Sequence, residues 1–171
     1  MMPVRRFTYC PDCGTRLETR IQEERPRDYC PACERIHFQQ LKVGAGAVIV
    51  TDGRLLLLQR STAPFRGSWN LPAGYVEADE SPYQAVVREV SEETGLGVEV
   101  ERLLGVYYFD DDPRGNGILI VFQCRIVSGE VSVSSEAQSA RFFAPDRLPK
   151  GLAGGAHDRA IMDWVRHIAS P

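Results

Sequence analysis

Two Cys-x2-Cys pairs near the start of the chain restrict its architecture more than any other feature. Four of the five cysteines lie in the first 33 residues, and 16 residues separate the two pairs. This spacing is typical of a tetrahedral zinc site with four thiolate ligands. The predicted ligands are Cys10, Cys13, Cys30 and Cys33. Because four cysteines leave no coordination position for water, we expect a structural Zn²⁺.

A redox-active Cys-x2-Cys pair and disulfides are the alternatives for these cysteines. Their confinement to one end of the chain favours a metal-stabilised module, since a segment of roughly 40 residues buries too little apolar surface to fold unaided. The fifth cysteine, Cys124, lies in an apolar strand and is predicted to be buried. The histidines show no ligand spacing and are assigned no chemistry: His37, His157 and His167.

The rest of the chain has the composition of a globular domain. Hydrophobic residues make up 43% and charged residues 25% of the 171 residues, close to the globular average. A change in composition near Leu41 predicts two domains, a zinc ribbon at residues 1–42 and a larger domain at residues 43–171. The net charge of -3 argues against a generally basic protein with a nucleic-acid partner, though not against a local basic patch. Because no long apolar run or leader pattern is present, we expect no membrane partner and a cytoplasmic location.

The larger domain is predicted to combine strands with two helices. Strands are expected at residues 43–50, 55–60, 98–108, 118–126 and 140–143, with a hairpin turn at Asp52-Gly53 and a loop at residues 61–74. Helices are expected at residues 81–95 and 155–168. Strands mixed with two separated helices favour an α/β fold in which both faces of a sheet are covered.

The first predicted helix has marked ends and an apolar face. Ser81 is the expected N-cap, Pro82 takes the first helical position, Gln84 completes a capping box, and Gly95 ends the helix in the left-handed conformation. Residues at i, i+3, i+4, i+7 and i+11 are expected to face the core. They are Tyr83, Val86, Val87, Val90 and Thr94.

Three glutamates of this helix, Glu89, Glu92 and Glu93, are spaced at i, i+3 and i+4 and therefore crowd one side of it. Two such charges about 6 Å apart repel by roughly 3 kcal/mol at an effective dielectric constant of about 20. A divalent cation would convert this repulsion into binding, and carboxylate oxygens suit Mg²⁺ or Mn²⁺. The alternative is an acidic helix face that is simply solvated.

A longer pattern around these glutamates favours the metal site. It has the form G-x5-E-x7-R-E-U-x-E-E-x-G-U, where U is an apolar residue. Its members are Gly74, Glu80, Arg88, Glu89, Val90, Glu92, Glu93, Gly95 and Leu96. With this pattern complete, residues 43–171 resemble the Nudix hydrolases, which cleave nucleoside diphosphates linked to another group X. Residues 69–74, which precede the pattern, also look like that family.

The resemblance implies a Nudix α/β/α sandwich with a mixed sheet, and it implies roles for the residues of the pattern. Glu89, Glu92 and Glu93 would hold the catalytic Mg²⁺ or Mn²⁺, with the carbonyl oxygen of Gly74 as a further ligand. Arg88 would orient the glutamates through hydrogen bonds. The enzyme class implied is a pyrophosphohydrolase acting on acid anhydrides.

Two further glutamates, Glu80 and Glu136, are candidates for supporting roles. Glu80 would brace the loop before the helix, or would simply be a charge favoured by the helix dipole. Cleavage of a phosphoanhydride requires a carboxylate to accept the proton of the attacking water. Glu89, Glu93 and Glu136 are the candidates for this base. Glu136 lies in a polar loop where several Nudix enzymes carry a glutamate that binds metal or acts as base, and a solvent-facing position is its alternative.

The resemblance favours ADP-ribose or FAD as the substrate. A zinc ribbon ahead of a Nudix domain is similar to the NADH pyrophosphatases and to a group that acts on ADP-ribose or FAD. The first carries a Ser-Gln-Pro-Trp-Pro-Phe-Pro signature after the glutamates, and residues 106–113 lack it. Oxidised nucleoside triphosphates are an alternative substrate. A non-catalytic Nudix protein that senses nucleotides or binds nucleic acid is the alternative from another class.

Substrate recognition would require aromatic faces for a base and cations for phosphates. The candidate base contacts are Tyr107, Tyr108 and Phe109, and the candidate phosphate contacts are Arg60, Arg66 and Arg114. Core positions for the aromatic residues and solvated positions for the arginines are the alternatives. A homodimer is compatible with the resemblance, although no particular residue supports it.

Overall fold

The structure is a computed structural model that describes residues 7–168, without the side chains of residues 167 and 168. The chain divides into two compact units, with the boundary between Leu41 and Lys42. The first six residues of the expected ribbon, and the side chain of His167, lie outside the described residues. Within the described ranges, no helix is both long enough and apolar enough to span a bilayer.

The N-terminal unit is a small antiparallel sheet. Its strands are β1 (Glu18–Gln22), β2 (Arg25–Cys30) and β3 (Arg35–His37), paired in the order β1-β2-β3. Before them the chain reverses at Gly14, which has a φ of +73° and whose N–H donates to the carbonyl of Cys10 over 2.9 Å. Of the apolar side chains described in this unit, those of Cys10 and Cys30 are buried. The unit therefore has little apolar core to stabilise it.

The larger unit is built on a seven-stranded mixed sheet. Its strands are β4 (Lys42–Thr51), β5 (Arg54–Arg60), β6 (Trp69–Asn70), β7 (Ala73–Tyr75), β8 (Gly97–Phe109), β9 (Gly117–Ser128) and β10 (Ala137–Phe143). The main path is β10-β5-β4-β9-β8, and β6 and β7 pair with β5 and β4. Strands β4 and β9 are parallel, whereas the other pairs are antiparallel.

Two helices cover the two faces of this sheet. The helix α1 (Pro82–Thr94) contributes Val86 and Val90 to one core cluster, and α2 (His157–Ile168) contributes Ile161 and Trp164 to the other. Successive residues of β4 alternate between the clusters, with Ala47 and Ile49 in the first and Val48 in the second, as the two-residue period of a strand requires. A short 3₁₀ helix spans Pro145–Arg147. The predicted α/β/α sandwich is confirmed.

The predicted ends of α1 are also confirmed. Ser81 is the N-cap: its hydroxyl accepts from the backbone N–H of Gln84, and the Gln84 side chain accepts from the backbone N–H of Ser81. Gly95 ends the helix in the left-handed region with a φ of 70°. The expected hairpin turn at Asp52-Gly53 joins β4 to β5, and both of its residues have positive φ.

The predicted core face of α1 is partly wrong. Tyr83 and Val87 are 56% and 37% exposed. The residues buried on α1 are instead Ala85, Val86, Val90, Glu93 and Thr94. At 100° per residue, this face is rotated by roughly 50° from the apolar pattern, towards Glu93. The rotation places a carboxylate in the protein interior, which apolar periodicity alone does not predict.

The loop expected at residues 61–74 contains the two short strands β6 and β7. They are two and three residues long, too short to show an alternating pattern. Strand β7 lies beside β4, where Gly74 is paired with Ala45. This pairing fixes the position of Gly74 in the sheet, in the last strand before α1.

Candidate functional site

A cleft in the larger unit brings together charged residues that are distant in sequence. Its lining includes Glu89 and Glu93 from α1 and Glu136 from the turn before β10; we call these three residues the cleft carboxylates. It also includes Arg60, at the end of β5, and Arg114, in the loop between β8 and β9. The cleft therefore combines acidic groups suited to cations with cationic groups suited to phosphate.

Glu89 lies directly against the backbone of β7. Its side chain is 14% exposed, and a Cβ atom added to Gly74 would overlap its carboxylate. Any side chain at position 74 would thus displace Glu89, which explains why this strand residue is a glycine. Glu89 and Gly74 both line the cleft, so the carboxylate and the neighbouring backbone are available to the same ligand.

Glu93 is the most deeply buried of the cleft carboxylates. It is 9% exposed, and its Oε2 accepts a hydrogen bond from the N–H of Ala73 over 2.9 Å. Burial raises the pKa of Glu93 to about 8, and repulsion from Glu89 and Glu136 acts in the same direction. Burial is also the main cause that raises the pKa of Glu89. These carboxylates therefore disfavour their own charged forms, a cost that a bound cation would offset.

Arg88 connects the carboxylates next to the cleft. Its Nη1 donates to Glu89 Oε1 at 2.8 Å and to Glu92 Oε2 at 3.1 Å. Its Nη2 and Nε donate to the two carboxylate oxygens of Glu80, at 2.5 and 3.1 Å, and Nη2 also donates to the carbonyl of Tyr75 at 3.0 Å. The hydrogen bonds from Arg88 hold the pKa of Glu80 below its ordinary value. Arg88 therefore links Glu80, Glu89 and Glu92 through direct hydrogen bonds.

Glu92 lies outside the set of residues that line the cleft. Its side chain is 59% exposed, whereas those of Glu89 and Glu93 are largely covered. Around the helix, Glu93 is about 40° from Glu89 towards the buried side, and Glu92 is about 60° away in the other direction. Arg88 donates to only one carboxylate oxygen of Glu89 and one of Glu92, so the second oxygen of each can still bind a cation.

Glu136 reaches the cleft from a turn that is fixed to the end of β5. The N–H of Ser61 donates to the carbonyl of Glu136 at 2.9 Å, and the Ser61 hydroxyl donates to the carbonyl of Ser135 at 2.8 Å. The side chain of Glu136 is exposed. Its charge raises the pKa values of both Glu89 and Glu93. The sequence places Glu136 far from α1, and the fold brings it to the same cleft.

In the N-terminal unit, the four predicted cysteine ligands converge. Their sulfur atoms lie within 4.8 Å of one another, with 4.0 Å between Cys10 and Cys33 and 3.5 Å between Cys13 and Cys30. A tetrahedron of Zn–S bonds has sulfur–sulfur edges of about 3.8 Å, so these distances fit Zn²⁺. Hydrogen bonds within the cluster divide the thiols: one with Thr15 lowers the pKa of Cys13 to about 6, whereas those with Cys13 and Cys30 raise the pKa of Cys33 to about 12.

His37 is an unpredicted neighbour of this cluster. Its Nε2 lies 3.3 Å from the sulfur of Cys10, and its ring forms a second potential ligand group with Cys10 and Asp12. The contact arises because β3 pairs with β2, which places His37 opposite Asp28 and returns the chain to the cysteines. The position of His37 relative to the cysteines in the sequence does not predict this contact.

Comparison with known proteins accounts for both units. The family model described as NUDIX domain matches residues 40–165, and the one described as Nudix N-terminal matches residues 8–39. The first match covers more than half of the chain. The chain belongs to the Nudix family. The zinc-ribbon Nudix resemblance, the Nudix fold and the class of Nudix pyrophosphohydrolase are thereby confirmed.

Relatives of this Nudix protein carry several activities in their names. The ADP-ribose pyrophosphatase of Methanocaldococcus jannaschii is 44% identical over 125 residues, which cover 72% of this chain and 73% of the relative. The NAD-capped RNA hydrolase NudC of Pseudomonas aeruginosa is 35% identical over 156 residues, 91% of this chain and 54% of the relative. This chain thus spans about half the length of the NudC relative. The crystal structure of a Nudix hydrolase from Nitrosomonas europaea has a TM-score of 0.82 at 30% identity, covering 96% of this chain and 95% of that one.

These relatives bear on the expected partners. Nudix proteins act on nucleotide-type substrates, in agreement with the prediction. One of these relatives is named for capped RNA and aligns with 91% of this chain, which does not fit the expectation that argued against a nucleic-acid partner.

The predicted substrate contacts of this Nudix domain divide into two groups. Arg60 and Phe109 line the cleft, with Arg60 Nε donating to the carbonyl of Pro64 at 3.1 Å. Arg66 and Tyr107 are absent from the described lining. Tyr107 packs against the core on the α2 side, and burial together with a hydrogen bond to Asp163 raises its pKa to about 12. Phe109 lies two residues further along β8, so it points to the same face as Tyr107 and belongs to the same core cluster. As the last residue of the strand, it also lines the cleft.

Several residues line the cleft although no sequence pattern predicts that they belong to the site. They are Phe65, Tyr75, Asp112 and His157, which lie in four separate segments. His157 begins α2, and its Nδ1 atom is buried without a hydrogen-bond partner in the part of the chain that the structure describes. Burial lowers the pKa of His157 to about 4, and the cations of Arg60 and Arg114 act in the same direction. His157 is therefore a neutral polar group on the cleft wall at neutral pH.

The depressed pKa of His157 makes the stability of this domain depend on pH. His157 takes up a proton below about pH 6.5 in the unfolded chain, but only below about pH 4 in the folded chain. Stability is therefore lost as the pH falls through this window, by up to about 2 kcal/mol at pH 5. When the pH is lowered from 7.5 to 5, we expect the free energy of unfolding to fall less for His157→Gln than for the wild type. Urea denaturation at both pH values measures this difference. Equal losses in the two proteins would contradict the assignment.

Proposed function

We propose that this Nudix hydrolase cleaves the diphosphate linkage of ADP-ribose, releasing AMP and ribose 5-phosphate. In the proposal, Glu89, Glu92 and Glu93, together with the carbonyl of Gly74, hold Mg²⁺ or Mn²⁺. The observation that supports it most is the burial of Glu93 beside Glu89 and Glu136, which repel one another across one cleft. Such an arrangement is costly for the protein alone and favourable around a divalent cation.

The reaction is a displacement at phosphorus. Water adds to one phosphorus atom, the bond from that phosphorus to the bridging oxygen breaks, and the bridging oxygen leaves with the other phosphate. The bound cations would neutralise charge on the phosphate oxygens and lower the pKa of the attacking water. Glu136 accepts the proton of that water in this proposal. It is the exposed member of the cleft carboxylates, and its turn is fixed by Ser61.

The choice of ADP-ribose rests on the relatives and on one missing signature. The relative that is 44% identical bears the name ADP-ribose pyrophosphatase and aligns with 72% of this chain. Residues 106–113 lack the signature associated with NADH pyrophosphatases. An NAD-type substrate is the second candidate, because the NudC relative aligns with 91% of this chain. In either case, the N-terminal unit would bind Zn²⁺ through its four cysteines and serve a structural role.

A substrate panel tests the proposal. ADP-ribose, FAD, NADH and nucleoside triphosphates are incubated with the protein and Mg²⁺ or Mn²⁺, and the products are separated by chromatography. We expect kcat/KM for ADP-ribose to exceed that for the others by at least about tenfold, which corresponds to about 1.4 kcal/mol of transition-state stabilisation. A Glu89→Gln variant purified in parallel controls for contaminating hydrolases. Activity on no substrate with either metal would favour a nucleotide-sensing role, and a preference for NADH would favour the second candidate.

A further inference from the structure

The loop between β8 and β9 holds one arginine in a fixed orientation on the cleft wall. Asp112 Oδ2 accepts from Arg114 Nη2 at 2.6 Å, and Asp112 Oδ1 accepts from Arg114 Nε at 3.0 Å. The backbone N–H of Arg114 also donates to Oδ1 at 2.8 Å. The side chain of Asp112 is 3% exposed and that of Arg114 is 42% exposed. The carboxylate is thus buried beneath a guanidinium that lines the cleft.

Burying a carboxylate is unfavourable unless it is paired and hydrogen-bonded. Burial raises the pKa of Asp112, but the side-chain and backbone hydrogen bonds from Arg114 outweigh it and leave that pKa below its ordinary value. Asp112 is therefore an anion with both oxygens committed to Arg114. A buried, bidentate partner restricts the guanidinium to one orientation, which reduces the entropy that Arg114 would lose on binding a ligand.

Tyr75 places this arginine next to the carboxylate part of the cleft. The Cζ atom of Arg114 lies 5.5 Å from the centroid of the Tyr75 ring, and the Nζ atom of Lys42 lies 5.0 Å from the same centroid. The Lys42 ammonium also donates to the Tyr75 hydroxyl at 3.4 Å. Tyr75 directly follows Gly74, against which the Glu89 carboxylate lies. Two successive residues of β7 therefore connect the acidic and cationic parts of the cleft.

The free donors of Arg114 match a phosphate. Asp112 engages Nε and Nη2, and no described hydrogen bond uses Nη1, so its two N–H groups can donate to one anion. A diphosphate substrate carries charge on both phosphates. Cations at the carboxylates would neutralise the phosphate that water attacks, whereas the other phosphate needs a separate partner.

We propose that Arg114, locked by Asp112, binds the phosphate of the diphosphate that water does not attack. Arg114 is then a specificity-determining contact for diphosphate substrates, and Asp112 is a positioning residue. This inference rests on the proposed function, because it assigns a role within the same substrate complex.

The first experiment compares Arg114→Ala with Arg102→Ala, an exposed arginine of β8 outside the described cleft lining. We expect Arg114→Ala to raise KM for ADP-ribose by about 10- to 100-fold, the effect of a lost charge-assisted hydrogen bond. The kcat should change by less than about threefold, since uniform binding is removed. Asp112→Asn should raise KM by a smaller factor. The Mn²⁺ affinity of Arg114→Ala should match that of Arg102→Ala, whereas its melting temperature should be lower because the buried Asp112 carboxylate loses its partner.

A second experiment identifies the phosphate that Arg114 contacts. Hydrolysis in H₂¹⁸O labels whichever product contains the attacked phosphorus, and mass spectrometry shows whether this is AMP or ribose 5-phosphate. The unlabelled product should inhibit Arg114→Ala at least about tenfold more weakly than the wild type, whereas the labelled product should inhibit both about equally. Equal weakening of both products would overturn the assignment to one phosphate.

Other outcomes separate this inference from the proposed function. An unchanged KM in Arg114→Ala would overturn the inference while leaving the reaction intact. Lost Mn²⁺ binding in addition to the lowered melting temperature would show that Arg114 only stabilises the loop, which also overturns it. If the wild type hydrolyses nothing in the panel, the proposed reaction fails. Calorimetric binding of ADP-ribose to the wild type and to Arg114→Ala then tests the anion contact alone, and equal affinities would refute it.

Discussion

Glu93→Gln is expected to lower kcat for ADP-ribose hydrolysis by about two to four orders of magnitude at saturating Mg²⁺. The substitution removes one negative charge from the cation site and keeps the shape of the side chain. The oxygen of the new amide can still accept the hydrogen bond that Glu93 Oε2 receives from the N–H of Ala73 over 2.9 Å. The fold of α1 and β7 should therefore be unchanged, and the loss should appear in catalysis.

The same substitution should stabilise the metal-free protein. Because burial raises the folded-state pKa of Glu93 to about 8, its charged form is disfavoured in the folded state, and stability falls as the pH rises from about 4.5 towards 8. An amide at this position does not titrate. The metal-free variant should therefore melt at a higher temperature than the metal-free wild type within this window, and at the same temperature at pH 4. A catalytic defect with increased metal-free stability is the pattern expected when a residue is retained for function rather than for folding.

Two matched variants make the Glu93 experiment decisive. Glu99→Gln changes an exposed glutamate of β8 that pairs with Arg125, and it should leave kcat and Mn²⁺ affinity unchanged. Glu136→Gln should lower kcat with a smaller loss of Mn²⁺ affinity than Glu93→Gln, because Glu136 is proposed as the proton acceptor. Turnover of Glu93→Gln within about threefold of the wild type, measured at saturating Mg²⁺, would refute the proposed metal site.

Local signals in the sequence predict those parts of the structure that short stretches of chain determine. Ser81 and Gln84 form the expected capping box, and Gly95 has the expected left-handed conformation. Each depends on backbone groups within a few residues. The glutamate spacing likewise predicts that Glu89 and Glu93 share a side of α1, because helix geometry alone requires it.

The remaining parts of the cleft depend on contacts between distant segments. Apolar periodicity places Tyr83 in the core, whereas the helix is rotated so that Glu93 is buried instead. The reason is that β7 supplies a backbone N–H at Ala73 for Glu93, and a strand of three residues gives no periodic signal. Asp112 is similarly undetectable in the sequence, because its burial depends on Arg114 and on the fold around the cleft.

The strongest prediction for the N-terminal unit concerns zinc. The wild type should contain about one Zn²⁺ per chain, measured by inductively coupled plasma mass spectrometry, and Cys30→Ser should contain almost none. Cys30 is fully buried at the end of β2, and its sulfur lies 3.5 Å from that of Cys13. Zinc contributes about 10–16 kcal/mol of apparent binding free energy to small zinc-stabilised folds at pH 7. Strands of five, six and three residues cannot offset its loss through apolar burial.

Loss of zinc should therefore unfold residues 7–41 and leave the larger unit folded, because both core clusters consist of residues beyond position 42. Limited proteolysis followed by mass spectrometry should show rapid cleavage within residues 7–41 of Cys30→Ser, and of the wild type after dialysis against a chelator. Cys124→Ala is the matched control, since Cys124 is buried in the larger unit; it should keep its zinc and its resistance to cleavage. If Cys30→Ser retained one zinc and resisted cleavage like the control, the four cysteines would not be the ligands. Folding of the N-terminal unit would then need another physical cause, and the contact between His37 and Cys10 at 3.3 Å would be the first to test.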